Sequence, residues 1–300
     1  MFKLSPEFKK AVVNELLTIR NNFDGSDNSF AKQYCINSSI FSRLKKGETD
    51  GLLKDSQFLN LGRELNINLD KREWKTARTV VFNAIEEEIE FCQVYSKARI
   101  LVDECDIGKT YCAKYLSRTR KNCFYIDASE SKTRQMFIRA LAKRIGVDHN
   151  GKYVDVKANL KFYIKQLPNP LIIIDEAGDL EYPAFLELKE LWNSTEGFCG
   201  WYMIGADGLR MKIEKGIRTK KVGYKEIFRR FSGTYSTISP VDARDKINFF
   251  RHLVTDVLDV NMTDKTMLST IVTKCLILND EGNFTGLTRA ESLLILYGIN

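Results

Sequence analysis

The stretch ILVDECDIGKTYC, residues 100–112, constrains this chain more than any other. Three consecutive aliphatics read as a buried strand, and the polar turn behind them leads into residues at helical spacing. The spacing D-x-x-x-x-G-K-T departs from the phosphate-loop pattern G-x-x-x-x-G-K-[ST] only at its first position, where Asp103 stands in place of glycine. In such a loop backbone N–H groups wrap the phosphates, the lysine reaches the β and γ groups, and the hydroxyl ligates magnesium. Cys105, Asp106, Ile107, Gly108, Lys109 and Thr110 are therefore the candidate nucleotide contacts, with Thr110 also a metal ligand. Aspartate tolerates a left-handed backbone better than most residues, so the turn remains possible at Asp103. Its carboxylate would repel polyphosphate unless it points away.

A second motif supplies what the loop alone lacks. In NPLIIIDEAGDL, Pro170 can begin a strand but not sit inside one, and four aliphatics then run to Asp175 and Glu176. An acid at that strand end can hold magnesium through water, and the next can orient or deprotonate the attacking water. An Asp-Glu pair after a strand can also cap a helix. Downstream of a phosphate loop, it points to ATP with Mg2+, Asp175 serving the metal and Glu176 catalysis.

Around these motifs the chain alternates. Residues 98–102, 123–126, 171–174, 201–204 and 235–238 are short apolar runs separated by helical patterns, which argues an α/β core with a five-stranded parallel sheet and helices on both faces. We place this core at 76–240. Residues 241–300 carry only helical patterns, as in 247–257 and 267–278, and read as a helical cap. Residues 1–71 form a separate all-α module. There Phe30, Ala31, Tyr34, Ile36, Ile40, Phe41 and Leu44 recur at helical spacing, broken at 35–37, and Gly47 ends the second helix.

That stretch, SFAKQYCINSSIFSRLKKGE, resembles the lambda-repressor-like helix-turn-helix, with Cys35 where the turn often has glycine. The resemblance implies a DNA-binding module, in which Ser38, Arg43, Lys45 and Lys46 meet DNA. A small helical bundle without DNA contact is the alternative.

The 44% apolar content is enough for a proper core, and no 18-residue apolar run exists to span a bilayer. With no apolar leader at MFKLSPEFKK, we expect a cytoplasmic protein without a membrane partner. The seven cysteines occur singly, which suggests neither a disulfide framework nor a zinc site. The net charge of +7 is concentrated. Between Asp207 and Arg230 stand nine Lys/Arg against three acids, including Lys220 and Lys221. Such a run is a solvated face or a surface for a polyanion.

From about residue 76 onward the chain resembles the AAA+ ATPases and, within that class, the phage Mu transposition protein B family of transposon target-selection ATPases. Besides the loop and the Asp-Glu strand, WYMIGADGLRMKI resembles the strand ending in the first sensor, which the resemblance assigns to Asp207. YKEIFRRFSG resembles the arginine-finger segment, implying that Arg229 or Arg230 reaches a neighbour's nucleotide. GNFTGLTRAESLL resembles the second-sensor region, with Arg289 its arginine. The family joins such a core to a helix-turn-helix module. The resemblance implies an ATP-bound homo-oligomer, ring or helical filament, on double-stranded DNA, released when a cognate transposase triggers hydrolysis. Lys132, Thr133 and Arg134, at a helix start after the second strand, are the first candidates for phosphate contact, and Lys220 and Lys221 the second. Two other functions stay open: a helicase-loader or initiator-type ATPase, and a DNA-binding regulator whose nucleotide site is inactive.

Overall fold

The computed structural model describes residues 4–23, 25–65, 67–69, 74–278 and 284–298. The expected module boundary at Lys71 lies outside them.

Helices α1 (Pro6–Asn21), α2 (Asp27–Gln33), α3 (Ser38–Leu44) and α4 (Asp55–Glu64) close around Val12, Leu16, Phe30, Phe41, Leu44 and Phe58, all fully buried. Ser5, Ser26 and Asn37 cap the first three, each side chain accepting a backbone N–H of the first turn. The break between α2 and α3 falls where the apolar spacing slips. Cys35 takes a left-handed backbone (φ 55°), and the Ile36 N–H returns to the Ala31 carbonyl at 2.8 Å. A non-glycine residue there costs roughly 1–2 kcal/mol. The buried rings of Phe30, Tyr34 and Phe41, with centroids 5.0 and 5.3 Å from that of Phe30, offset this cost.

The central sheet follows α5 (Val80–Tyr95). Strands β1 (Ala98–Val102), β2 (Cys123–Asp127), β3 (Leu171–Asp175) and β4 (Gly200–Gly205) are all parallel, in the order β1-β4-β3-β2. The crossovers are α6 (Lys109–Thr119), then α7 (Arg134–Ile145) and α8 (Tyr153–Ile164), then a 3-10 turn (Ala177–Asp179) and α9 (Tyr182–Ser194). After β4 come α10 (Asp207–Arg218) and α11 (Tyr224–Arg230). Alternation sorts the strands onto two faces. Ile100, Ile172, Ile174, Trp201 and Met203 pack with α7 to α11, whereas Leu101, Leu171, Ile173, Tyr202 and Ile204 pack with α5 and α6. Both faces are covered, so every residue of β3 and β4 is buried and the strands read as continuous apolar runs.

Among the described residues the sheet has four strands where five were expected. In the segment 235–238 only Ser236 pairs, bridging Leu101 in parallel by bonds from its N–H to Ile100 O (2.8 Å) and from Val102 N–H to its own carbonyl (3.0 Å). Beyond it the ladder stops for a physical reason: the Ile238 and Ser239 N–H groups donate to the Asp103 carboxylate instead of to a strand.

Helix α12 (Ala243–Asn261) gives Phe249, Phe250 and Leu253 to the sheet's α5/α6 face. Its far half, Val254 and Leu258, joins α13 (Leu268–Cys275) and α14 (Gly286–Leu296) in a second cluster, the lid. The expected helix over 267–278 ends at Cys275, and Leu278 instead bridges Phe284. The N-terminal helices dock beside β2: Gln33 Nε2 donates to Arg144 O at 2.7 Å, and Glu15 and Glu64 pair with Arg118 (3.1 Å) and Lys143 (3.0 Å). No helix among the described residues is long and apolar enough to cross a membrane.

Candidate nucleotide site

Parallel strands place their carboxyl ends together, and the two motifs emerge there from β1 and β3, on either side of β4. The loop 103–108 leaves β1 with Asp103 buried. Asp103 does not adopt the left-handed backbone allowed for it; Asp106 (φ 61°) and Gly108 (φ 91°) do. The Asp103 carboxylate accepts from Glu104 N (2.7 Å), Ser239 N (3.0 Å), Ile238 N and the Ser239 hydroxyl. Its oxygens are thus engaged by four donors, three of them from the segment behind β1, which offsets part of the anticipated repulsion.

Gly108 is the N-cap of α6, and with no side chain there to cap it the first-turn N–H groups stay open to an anion. A Cβ at Gly108 would lie 3.3 Å from Leu287 Cδ1, in a backbone conformation that disfavours side chains. Lys109 follows, folded back on its own loop: Nζ donates to Asp103 O at 2.8 Å and to Glu104 O. Burial lowers its pKa, with Asp103, Asp175 and Glu176 among the negative groups opposing that fall. Thr110 is half-buried one residue further on, Ile107 is buried in the α5/α6 face, and Cys105 is exposed.

Asp175 ends β3 almost wholly buried. Its Oδ2 accepts from the Tyr125 hydroxyl at 2.9 Å, and its Oδ1 from Glu176 N at 3.0 Å. Tyr125 lies on β2, in register with Ile173, and was not anticipated from sequence; a lone tyrosine in an apolar run carries no signal of its partner. Glu176 is exposed, with a left-handed backbone (φ 48°) that turns the chain out of the strand. Partial desolvation raises its carboxyl, and Asp175, Asp127 and Asp179 add to the rise. A carboxylate whose pKa is raised in this way suits a base for water. Lys212 of α10 fixes the turn beyond, donating to Gly178 O at 2.6 Å and to Leu180 O.

These residues fit a magnesium-bound triphosphate. Among the described residues no cluster of three or more His, Cys, Asp or Glu could hold a metal alone. Thr110 and Asp175 offer the two protein groups that a magnesium shared with phosphates needs, and each Asp175 oxygen keeps a lone pair beyond its present bond.

The other expected residues are more dispersed. Asp207 is exposed at the first position of α10, just past β4. Arg229 is exposed on α11, whereas Arg230 lies over the Trp192 ring at 5.3 Å with a buried Nη1. Arg289 is exposed in the first turn of α14, whose preceding residue Thr288 bonds Asp106. Thr133 caps α7, accepting from Met136 N, while Lys132 pairs with Asp179 at 2.9 Å and Arg134 lies over Tyr153 near Glu187. In the N-terminal module Ser38 and Lys46 are exposed, Arg43 pairs with Glu48 (2.6 Å) and Lys45 with Asp27 (2.7 Å). Lys221 sits 3.9 Å from the Tyr182 ring centroid, and Lys220 is exposed beside it.

Residues 100–213 match the AAA domain family. No curated protein matches the chain. The matched span opens on β1 and the phosphate loop and closes within α10. Match and loop geometry together support a P-loop ATPase domain of the AAA type over that span.

Proposed function

We propose that the chain is an ATP-dependent, largely sequence-non-specific DNA-binding ATPase that selects or delivers target DNA and activates a cognate transposase. It would act in the cytoplasm as a homo-oligomer, a ring or filament on duplex DNA. The observation that carries the ATP half is the uncapped turn Gly108-Lys109, with Asp175 and Glu176 close enough to act on the Lys109 ammonium.

The chemistry follows from the same residues. On phosphate binding Lys109 exchanges the Asp103 and Glu104 carbonyls for β and γ oxygens. Magnesium, when bound, neutralises phosphate charge. Tyr125 holds Asp175 in one orientation, and Glu176 takes a proton from the attacking water. Arg229, exposed and free of the stacking that occupies Arg230, is the better finger for a neighbour's site.

For DNA, the support is the resemblance to target-selection ATPases, the tight α2–α3 turn with basic residues beside it, and the cations at 132–134 and 220–221. Lys132 also suggests how DNA reaches the chemistry. It pairs with Asp179, three residues beyond Glu176, and its carbonyl accepts from Glu181 N at 2.9 Å. A DNA phosphate taken by Lys132 competes with Asp179, one of the groups that raise Glu176. The Asp103 departure is what favours the alternative of a regulator with an inactive nucleotide site, and that carboxylate is tied to Ile238 and Ser239.

Electron micrographs of the protein with duplex DNA test the proposal. Ordered assemblies with ATP and bare DNA without it are expected; identical images in both conditions overturn it.

A further inference from the structure

The first turn of the lid helix α14 lacks a cap of its own. Thr285, at the N-cap position, has near-helical dihedrals and no side-chain cap bond. A helix start leaves several N–H groups without intrahelical partners, and these need an acceptor. Here the acceptor comes from the phosphate loop. Asp106 O accepts from Leu287 N at 3.1 Å, Asp106 Oδ2 from Thr288 N at 2.8 Å, and Asp106 Oδ1 from the Thr288 hydroxyl at 2.6 Å.

The fit is close enough to need glycine. A Cβ on Gly286, whose φ is 47°, would lie 2.6 Å from Asp106 O and 2.7 Å from Asp106 Oδ2. On the same contact, Gly108 faces Leu287 Cδ1. One residue therefore does two things: its left-handed backbone bends the loop, and its carboxylate serves as the cap of a helix 182 positions away in sequence. A carboxylate at a helix N-terminus is also placed well for the helix dipole.

We infer that Asp106 is a positioning residue that latches the lid to the phosphate loop, so that loop shape and the placement of the α14 first turn, with Arg289 on it, are set together. This rests on the reading of 103–110 as a nucleotide loop. The latch itself is present without nucleotide and can be tested without it.

The separating substitution is Asp106→Gly, which keeps the left-handed backbone at no steric cost and deletes the carboxylate. Asp106→Asn keeps one acceptor oxygen and tolerates the same backbone. Amide hydrogen exchange of the full chain, without nucleotide, reads the latch directly. Asp106→Gly should speed exchange at the Thr288 amide, whose acceptor is the deleted carboxylate, by at least about tenfold relative to amides of α13, with Asp106→Asn in between, while the Leu287 amide keeps its main-chain acceptor and changes less. Gly286→Ala should act like Asp106→Gly. Binding of a fluorescent ATP analogue is the second readout. Asp106→Gly should lower kcat about tenfold or more, and by more than it weakens analogue binding, because the loop N–H groups survive while Arg289 is misplaced. Unchanged exchange at Thr288 in both Asp106→Gly and Gly286→Ala overturns the latch. Lost analogue binding by the unsubstituted chain would instead fault the nucleotide reading, leaving the exchange result to stand alone.

Discussion

The carboxylate of Asp103 is buried against Ser239, accepting both the Ser239 N–H at 3.0 Å and the Ser239 hydroxyl. At the first position of a phosphate loop the chain thus carries an acid whose partners lie behind the sheet edge. Asp103 ties the end of β1 to the segment after the 236 bridge, work that backbone pairing would otherwise do.

Asp103→Gly should therefore destabilise the protein even though it completes the phosphate-loop pattern. It leaves the part-buried Ile238 N–H and the buried Ser239 N–H without acceptors, at a cost of about 2–4 kcal/mol. Urea unfolding measures the loss, and nucleotide affinity should change little. Equal or greater stability of the glycine variant would contradict the role given to Asp103.

Thiol labelling should report the loop. Of the seven cysteines only Cys35 and Cys105 are exposed, while burial pushes the Cys92, Cys112 and Cys123 thiols up to about 12. Thiolate is the reactive form, so at pH 8 those three remain protonated and inert. A maleimide should modify Cys35 and Cys105 first. ATP with magnesium at ten times its Kd should slow Cys105 by roughly tenfold and leave Cys35 unchanged. Equal rates at Cys105 with and without nucleotide would count against the site.

Lys109→Ala should lower ATP affinity by about a hundredfold, because it removes the one cationic side chain of the loop. Glu176→Gln should keep binding and lose about 10²–10⁴ in kcat, the range for a general base. Isothermal titration and a phosphate-release assay separate the two outcomes.

The arginines of α11 should divide their work. Arg230→Ala gives up the stack on Trp192 and should cost about 0.5–2 kcal/mol of stability. Arg229→Ala, an exposed change, should leave stability within about 0.5 kcal/mol and reduce hydrolysis only in the assembled state. Mixing Arg229→Ala with Lys109→Ala subunits should then restore turnover where an intact arginine meets an intact site. Turnover that stays absent in every mixture would argue against action in trans.

Much of this was legible in the sequence, and the rest was hidden for identifiable reasons. The strands at 98–102 and 171–175 are buried on both faces, so their apolar runs announce them, and the two short motifs that mark Lys109 and Thr110, and Asp175 and Glu176, as candidates each lie at the end of one of those strands. The run at 235–238 looks equally strand-like. Its pairing fails because Asp103, from a distant segment, takes its N–H groups, and a side chain acting as a ladder partner leaves no periodic trace. Tyr125 and the capping bond of Asp106, itself legible only as a loop residue, are hidden likewise: one holds Asp175 across 50 positions, the other caps α14 across 182. The cysteine in the α2–α3 turn shows the reverse case. Cys35 occupies the left-handed position that sequence assigns to glycine, and the surrounding core holds it there.

Binding of the full-length protein to two unrelated duplexes, with ATP, ADP or no nucleotide and over a range of salt, tests the central claim most directly. ATP should give cooperative binding of similar affinity to both duplexes, falling with salt at a log-log slope of about −0.9 per phosphate neutralised. Lys132→Ala with Arg134→Ala should flatten that slope by about one to two units and weaken both duplexes alike. Nucleotide-independent binding to only one of the two duplexes would contradict the claim.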